Sequence, residues 1–281
     1  MKPWVFTLSL LAALLGWGAA QAAITCSLSN TNPYPIYDPT SNAHNDSTGS
    51  ITLNCTRLTS DASSIDYWVG LDQGEPPAGR NLTRQTGTQT LSYRIYRNAG
   101  YSQNWNNGNG GVTGTINFGG STATSVTLTY YFRVIRQQTG KPAGLYDDTP
   151  LATLRFNTRF DPDEATTALV PVVSIVAECR VSSTPAPLVL NYTSFSASAI
   201  TASTGFAVSC TNSTPYTMAL DATSGSMLGL NYTLGLSSSS ATGSGLPQNY
   251  SVTGTVAANQ SGNCASASCS ATQARTITIT Y

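Results

Sequence analysis

The chain has 281 residues, with 13 basic and 13 acidic side chains, and only 9% of its residues are charged. A protein that binds nucleic acid or an acidic membrane needs a basic surface, and this composition does not supply one. The charged helix faces of an α-helical protein are also missing, so the composition favours extracellular β structure.

The first 22 residues have the three parts of a secretory signal peptide. Lys2 supplies the positive charge, residues 5–15 are mostly apolar, and Ala20-Gln21-Ala22 matches a cleavage site. The apolar stretch is too short to span a bilayer. We therefore predict a mature protein that begins near Ala23 and is exported.

Six cysteines in an exported chain indicate disulfide bonds. Two spacings are long and similar, 29 positions in the first half and 31 in the second, and the last two cysteines lie close together. A zinc site would need further ligand pairs beside this C-x₄-C, so no metal site is predicted. The spacing predicts the pairs Cys26–Cys55, Cys179–Cys210 and Cys264–Cys269.

The sequence repeats one plan twice, starting at Cys26 and again at Cys179. In each half, a stretch of about 30 residues between two cysteines is followed by short alternating runs separated by Gly, Pro and Asn. Many short strands with such turns are typical of β-sandwiches. We predict an all-β protein with two sandwich domains and a boundary between Phe156 and Cys179. The predicted strands lie at residues 64–71, 90–97, 126–135, 149–156, 216–221, 230–236, 250–256 and 275–281.

An apolar segment, residues 168–177, connects the two halves and follows a polar loop at residues 157–167. Leu169, Val173 and Ile175 lie on one face of the predicted strand, together with Pro171, and valines occupy the other face. Since both faces are apolar, the pattern leaves the inward face open. Pro171 has no N–H to donate, which fits a strand at an edge.

The last predicted strand places Ile277, Ile279 and Tyr281 on one face. A strand at the edge of a sheet exposes unpaired N–H and C=O groups, so a further strand is expected to cover it. At the other end of the predicted mature chain, residues 23–25 precede Cys26 and span about 10 Å. This length is too short for a strand given to a neighbouring subunit, so we expect a subunit that accepts a strand and donates none.

Three segments carry a resemblance to a known family: residues 91–111, 144–156 and 259–281 resemble the spore coat protein U domain. That domain is similar to the pilin module of archaic chaperone–usher pili, and the two-domain form resembles the tip adhesin of such pili. The resemblance implies incomplete immunoglobulin-like folds, each of which lacks a last strand that another segment supplies. Residues 168–177 would then be the donor strand of an N-terminal domain at 23–167, through Leu169, Val173 and Ile175. A C-terminal domain at 178–281 would have an open acceptor groove edged by Ile277, Ile279 and Tyr281.

The resemblance also implies a function, which is that of an exported pilus tip subunit in surface attachment and biofilm formation. The implied partners are a periplasmic pilus chaperone, an outer-membrane usher, the adjacent pilin through its donor strand, and a host or abiotic surface. No catalytic residue, metal or cofactor is predicted, and His44, the only histidine, lies in a polar loop without the pattern of a hydrolase site. The alternatives are a structural minor pilin or coat protein, and a secreted carbohydrate-active enzyme with a carboxylate pair.

Residues 97–112 form the candidate adhesive loop. The stretch is long and rich in Gly and Asn, it carries Tyr101 and Trp105, and it ends at Val112. Apolar groups exposed on loops mark interaction sites. A count of strand directions from the linker places residues 97–125 at the free end of the first sandwich, and an inserted strand near residues 112–118 is the alternative that would change this count. Trp105 also matches a tryptophan of the family, so a place in the core is the alternative for that residue.

Overall fold

The computed structural model describes residues 24–72 and 79–281, and the predicted signal peptide at residues 1–22 lies outside them. All regular elements in the described ranges are β-strands. The prediction of an all-β protein is therefore confirmed. Within the same ranges, no helix has the length and apolar character needed to cross a membrane.

The first sandwich contains two sheets. The larger sheet has the strand order β1-β2-β7-β5-β4-β8-β11, and the smaller sheet has the order β10-β9-β3-β6. The strands are β1 (Thr25–Thr31), β2 (Asn45–Thr56), β3 (Ser64–Leu71), β4 (Arg80–Arg84), β5 (Thr90–Tyr96), β6 (Val112–Asn117), β7 (Ala123–Val134), β8 (Gly144–Asp147), β9 (Leu151–Phe156), β10 (Asp163–Ala168) and β11 (Val172–Ile175).

Alternating side chains build the core between these sheets. In β7, Tyr130, Phe132 and Val134 are buried, and the residues between them face outward. This alternation follows from the two-residue period of a strand, which sends successive side chains to opposite faces. The pattern repeats in β2, whose inward residues Ile51 and Leu53 belong to the same core.

The strand β10 corrects the sequence interpretation, which assigned residues 157–167 to a polar loop. Residues 163–168 pair with β9, and the amide of Asn30 donates hydrogen bonds to Thr167 Oγ1 (2.9 Å) and to the carbonyl of Ala168 (3.0 Å). The strand lies at the edge of its sheet and keeps its polar side chains largely in solvent. A polar edge strand of this kind lacks the apolar alternation on which the prediction depended.

The second sandwich contains a five-stranded sheet with the order β12-β13-β18-β16-β15 and a three-stranded sheet with the order β17-β14-β19. Its buried core is small and consists of Phe206, Val208, Cys210, Tyr216, Met218 and Val252. The strands are β12 (Cys179–Ser183), β13 (Ile200–Cys210), β14 (Pro215–Leu220), β15 (Ser224–Met227), β16 (Leu230–Leu236), β17 (Ser240–Thr242), β18 (Pro247–Val256) and β19 (Ile277–Thr280).

Disulfides hold corresponding places in the two sandwiches. Cys26 pairs with Cys55 between β1 and β2, and Cys179 pairs with Cys210 between β12 and β13. The third disulfide joins Cys264 to Cys269. These are the pairs that the cysteine spacing predicts. Each long bridge closes a loop of roughly 30 residues, which in the chain-entropy model stabilises the fold by about 3–4 kcal/mol.

The two sandwiches share one topology, but the second has fewer strands. The order β1-β2-β7-β5-β4 corresponds to β12-β13-β18-β16-β15, and β9-β3-β6 corresponds to β19-β14-β17. The strands β8, β10 and β11 have no counterpart among the strands of the described second sandwich. The first sandwich therefore has both the strand that the linker supplies and the strand beside it.

Candidate functional site

The linker strand β11 is bonded on both of its sides within the first sandwich. It pairs antiparallel with β8, so that Val173 lies opposite Tyr146. On the other side, it runs parallel to residues 33–37: Val172 N–H donates to the carbonyl of Pro33 at 3.2 Å, and Tyr37 N–H donates to the carbonyl of Ser174 at 2.9 Å. The linker therefore fills a slot between two other parts of the larger sheet.

The side chains of the linker resolve the face that the sequence pattern left open. Leu169 and Val173 are fully buried, Ile175 is buried as well, and Pro171 shares their face. Val170 and Val176 point outward and are 42% and 45% exposed. Burial of an aliphatic side chain is worth about 1.5–3 kcal/mol, so the buried face anchors the segment strongly.

The corresponding slot of the second sandwich is unfilled in the described residues. Its two walls would be residues 185–190, which follow β12 as residues 33–37 follow β1, and residues 269–275, which precede β19. In the described structure, no backbone–backbone hydrogen bond joins either stretch to the rest of the sheet, and Thr204 Oγ1 donates a hydrogen bond of 2.7 Å to the carbonyl of Ala186. We call the unpaired surface between these two stretches the second groove.

Half-buried apolar side chains line this region. Ile277 and Ile279 pack against the small core from β19, and Tyr281 is 60% exposed. The strand β19 pairs with β14 along one edge only, and its other edge has no strand partner among the described residues. Leu188, Leu220, Leu234, Leu236 and Tyr250 also pack against the core while remaining partly accessible.

The candidate adhesive role of Trp105 is wrong, because its side chain lies in the core of the first sandwich. Trp105 is 1% exposed, and its indole Nε1 donates a hydrogen bond of 2.8 Å to the carbonyl of Val69. A buried indole needs such a partner for its N–H. The alternative that follows from the match to a family tryptophan, a place in the core, is therefore the one that the structure supports for Trp105.

Tyr101 lies on the outer face of the larger sheet rather than at the free end. The guanidinium of Arg133 is 3.9 Å from the centre of its ring, and the rings of Tyr96 and Tyr131 meet it edge to face. Burial, followed by the nearby charge of Asp46, raises the pKa of Tyr101. The residue is thus held by a surface cluster and does not project freely.

Val112 is not part of a free loop either, because it begins β6 and packs half-buried against the core. The strand β6 interrupts the predicted connection between β5 and β7. For this reason, residues 97–111 cross from one sheet to the other along the side of the sandwich. The counted directions of β5 and β7 agree with their pairing, but the inserted strand β6 leaves only residues 118–122 of the predicted connection at the end opposite the linker.

The end of the first sandwich farthest from Ile175 is formed by residues 57–63, 118–122 and 157–162. The strands β2 and β7 stay paired over their whole length, up to the Thr56–Ala123 pair, and so carry the first two loops away from the linker. Arg57 ties these loops together, since its Nε donates to the carbonyl of Ser121 at 3.1 Å. We call this end the distal end.

Two large apolar side chains project from the distal end. Leu58 is 62% exposed and Phe160 is 82% exposed, and the guanidinium of Arg159 is 4.5 Å from the centre of the Phe160 ring. Sequence reasoning missed both residues. A single apolar side chain inside a polar turn, as in Arg159-Phe160-Asp161, was the available signal.

Among the described residues, the recorded hydrogen-bond partner of the His44 side chain is a backbone amide and not a carboxylate or a nucleophile. Its Nδ1 accepts a hydrogen bond of 3.1 Å from the backbone N–H of Arg136, and burial together with Arg133 lowers its pKa. No group of three or more His, Cys, Asp or Glu that could hold a metal ion occurs in residues 24–72 and 79–281.

Comparison with known proteins identifies a family. The sequence signature of the Spore Coat Protein U domain matches residues 12–153, just over half of the chain. No match is found among curated proteins.

Solved structures of pilus subunits are similar to this chain at low sequence identity. A chain of the CsuC–CsuE chaperone–tip adhesion subunit pre-assembly complex, from archaic chaperone-usher Csu pili of Acinetobacter baumannii, is 15% identical; the match covers 91% of this chain and 99% of that one, with a TM-score of 0.44. The CupB6 tip adhesin from Pseudomonas aeruginosa is 13% identical over 92% of this chain and 95% of that one, with a TM-score of 0.44. The CooA pilin subunit from enterotoxigenic Escherichia coli is 14% identical over 54% of this chain and 99% of that one, with a TM-score of 0.35.

Proposed function

Because this chain belongs to the Spore Coat Protein U domain family, we propose that it is the tip subunit of a secreted chaperone–usher pilus. In this proposal, the first sandwich attaches to a surface and the second joins the chain to the next subunit. The protein travels through the periplasm to the cell surface. Its partners are a periplasmic chaperone, an outer-membrane usher and the adjacent pilin, and the attachment supports biofilm formation.

One observation supports the proposal: within residues 24–72 and 79–281, the same slot is filled in the first sandwich and unfilled in the second. Residues 168–177 act as the donor strand of the first sandwich, with Leu169, Val173 and Ile175 as the anchoring side chains. The short connection to β10 keeps this strand at an effective concentration near the millimolar range. The first sandwich therefore needs no strand from another subunit.

The second groove is the acceptor for a donor strand of the next subunit. An added strand would satisfy backbone groups on both walls and bury the exposed parts of Ile277 and Ile279, which is how β-strand addition gives affinity. Before assembly, a periplasmic chaperone would cover the same surface. The groove of the first sandwich is filled by the chain's own linker, and the groove of the second accepts a strand from another subunit. A subunit of this kind suits the end of a fibre.

The groove is tested with a labelled peptide that copies residues 163–175, added to the full mature chain at micromolar concentration. The first sandwich should not take it up, because its own linker competes at a much higher effective concentration. We expect saturable binding to one site and a rise in the unfolding temperature of the second sandwich. Absence of binding would contradict an acceptor role for the groove.

Attachment is proposed to use the apolar side chains of the distal end. Leu58 and Phe160 are exposed there, on loops at the pole opposite the linker. Exposed apolar groups on loops favour contact with apolar surfaces, and such contact resists salt. A single contact of this kind is weak, and the many fibres on one cell strengthen attachment by multivalency.

The test is the double variant Leu58→Ser with Phe160→Ser in the mature chain. Phe195→Ser is the matched control, because Phe195 is 70% exposed on the second sandwich. Adsorption to a methyl-terminated surface, followed with a quartz crystal microbalance, should fall at least fivefold for the double variant and stay unchanged for the control. Equal adsorption of all three proteins would favour the alternative of a structural minor pilin or coat protein.

A further inference from the structure

Matching hydrogen bonds in the two sandwiches identify which residues of the second groove correspond to β8. The hydroxyl of Tyr93 donates to Asp148 Oδ2 at 2.7 Å, and the hydroxyl of Tyr232 donates to Gln273 Oε1 at 2.5 Å. The two tyrosines are equivalent, since Tyr93 pairs with Val134 and Tyr232 with Val256 at the same place in each sheet.

A second pair of bonds gives the same alignment. The backbone N–H of Asp72 donates to the carbonyl of Leu151 at 2.9 Å, and that of Asp221 donates to the carbonyl of Thr276 at 3.0 Å. In both comparisons, the residue of the second sandwich lies 125 positions after its equivalent in the first: Gln273 corresponds to Asp148, and Thr276 corresponds to Leu151. The strand β8 therefore corresponds to residues 269–272, and Tyr146 corresponds to Ala271.

The side chains at these equivalent places differ greatly in size. Tyr146 is fully buried in the first sandwich, directly opposite Val173 of the linker. Phe132, two residues before Val134, is buried in the same core with its ring centre 5.0 Å from that of Tyr93, and its counterpart two residues before Val256 is Gly254. Two aromatic rings of the first core are thus replaced by a methyl group and a hydrogen atom.

Other residues of the second sandwich make up for only part of this loss. Leu188 and Leu190 lie over Gly254, and a Cβ atom built there would be 2.9 Å and 3.2 Å from them. They cover the glycine from the wall at residues 185–190. Ala271 lies on the opposite wall and is exposed. The bulky pair Phe206 and Tyr250 lies nearer the Cys179–Cys210 disulfide, at the other end of the strands.

We propose that the second groove selects a donor strand with a bulky apolar side chain, aromatic or long aliphatic, at the position that Val173 holds in the first sandwich. This inference rests on the proposed acceptor function of the groove. Protein interiors are packed to high density, so a valine opposite Ala271 would leave a void that a larger side chain fills. The chain's own linker would then bind the second groove less tightly than a donor strand with the larger side chain, which disfavours pairing between two copies of this subunit when such a donor is present.

The experiment compares two labelled peptides on the full mature chain. One copies residues 163–175, and the other carries Val173→Phe in the same sequence. We expect the phenylalanine peptide to bind at least tenfold more tightly. A third peptide with Val170→Phe, at a position that faces outward in the first sandwich, should show no such gain.

The variant Ala271→Tyr of the chain provides the reciprocal test. Residue 271 is exposed and has no backbone partner in the described structure, so the substitution is compatible with folding. It should abolish or reverse the preference for the phenylalanine peptide. Equal binding of both peptides to the unmodified chain, or an unchanged preference in Ala271→Tyr, would overturn the inference. If no peptide bound at all, the acceptor function itself would fail, and the inference with it.

Discussion

The backbone N–H of Leu169 donates a hydrogen bond of 2.9 Å to the carbonyl of Pro150, at the point where the linker leaves one sheet and enters the other. The segment pairs with β9 up to residue 168 and with β8 from residue 172. Leu169 and Pro171 lie between the two pairings with their side chains buried. The linker therefore completes both sheets of the first sandwich.

Replacing Leu169 should destabilise the first sandwich much more than replacing its neighbour. Leu169→Ala removes a fully buried side chain, and we expect a loss of about 2–5 kcal/mol in the free energy of unfolding. Val170→Ala is the control, and we expect a change within about 0.5 kcal/mol because that side chain is partly exposed. Urea unfolding followed by tryptophan fluorescence measures both values, since the tryptophans after the predicted leader are Trp68 and Trp105. Similar losses for the two variants would contradict the anchoring role of the buried face.

Substitutions of Trp105 and Tyr101 should affect the stability of the first sandwich and leave its adsorption to an apolar surface to other residues. Trp105→Ala should cost about 3–5 kcal/mol of unfolding free energy, because a buried indole leaves a cavity behind. Tyr101→Ser removes a half-exposed contact with Arg133, and we expect a loss of about 1 kcal/mol. Adsorption of Tyr101→Ser to an apolar surface should equal that of the unmodified chain. A large loss of adsorption with that variant would return the attachment site to the side of the sandwich.

Alkaline pH should weaken the first sandwich through its buried tyrosines. Burial is the largest cause that raises the pKa of Tyr93 and of Tyr130 above the ordinary value. The folded state keeps these protons while the unfolded state loses them above pH about 10, so the stabilisation is complete below that pH and declines as the pH rises above it.

Tyr130→Phe measures the contribution of one phenol to this decline. Between about pH 10 and 11, the slope of unfolding free energy against pH should become shallower by about 1 kcal/mol per pH unit, because the unfolded phenol is about half to nine-tenths ionised in that range. The comparison of slopes is independent of the hydrogen bond that Tyr130 donates to Asn32, since that loss applies at every pH. An unchanged slope would mean that Tyr130 titrates normally in the folded protein.

Donor binding should convert residues 269–272 into a strand. Their counterparts in β8 are bonded to β11, and residues 269–272 have no backbone hydrogen bonds in the described structure. In the free chain, their amides should exchange with solvent rapidly, and a bound donor peptide should slow the exchange at least tenfold. Hydrogen-exchange mass spectrometry of the segment at residues 265–276 measures the effect. Binding without protection there would show that the donor uses only the opposite wall.

Much of the fold could be predicted because it depends on local patterns. The alternation in β5 and β7 indicates strands directly, and the matched cysteine spacings indicate two copies of one sandwich. The strand β10 escaped prediction because its Asp, Glu and Thr side chains face solvent at an edge. A sequence pattern reports which side chains are apolar, and an edge strand held mainly by backbone bonds leaves little trace in it.

The proposed attachment site was harder to predict because the exposure of a side chain depends on how distant segments of the chain meet. Trp105 and Phe160 both stand in polar loops, yet one is buried and the other projects into solvent. The difference arises from the path of residues 97–111, which pass over the core and place Trp105 against Val69. The difference in size between Tyr146 and its equivalent Ala271 likewise cannot be read from the sequence pattern, because the equivalence depends on matching hydrogen bonds in the two sandwiches.

The linker also determines how the first sandwich responds to a pulling force. Residues 176–178 join β11 directly to β12, so tension applied to the second sandwich acts along the axis of β11. The hydrogen bonds of β11 to β8 and to residues 33–37 lie across that axis. Force therefore loads these bonds together in shear and does not open them one at a time. The connection that completes the first sandwich therefore also resists being pulled out of it by a load on the second.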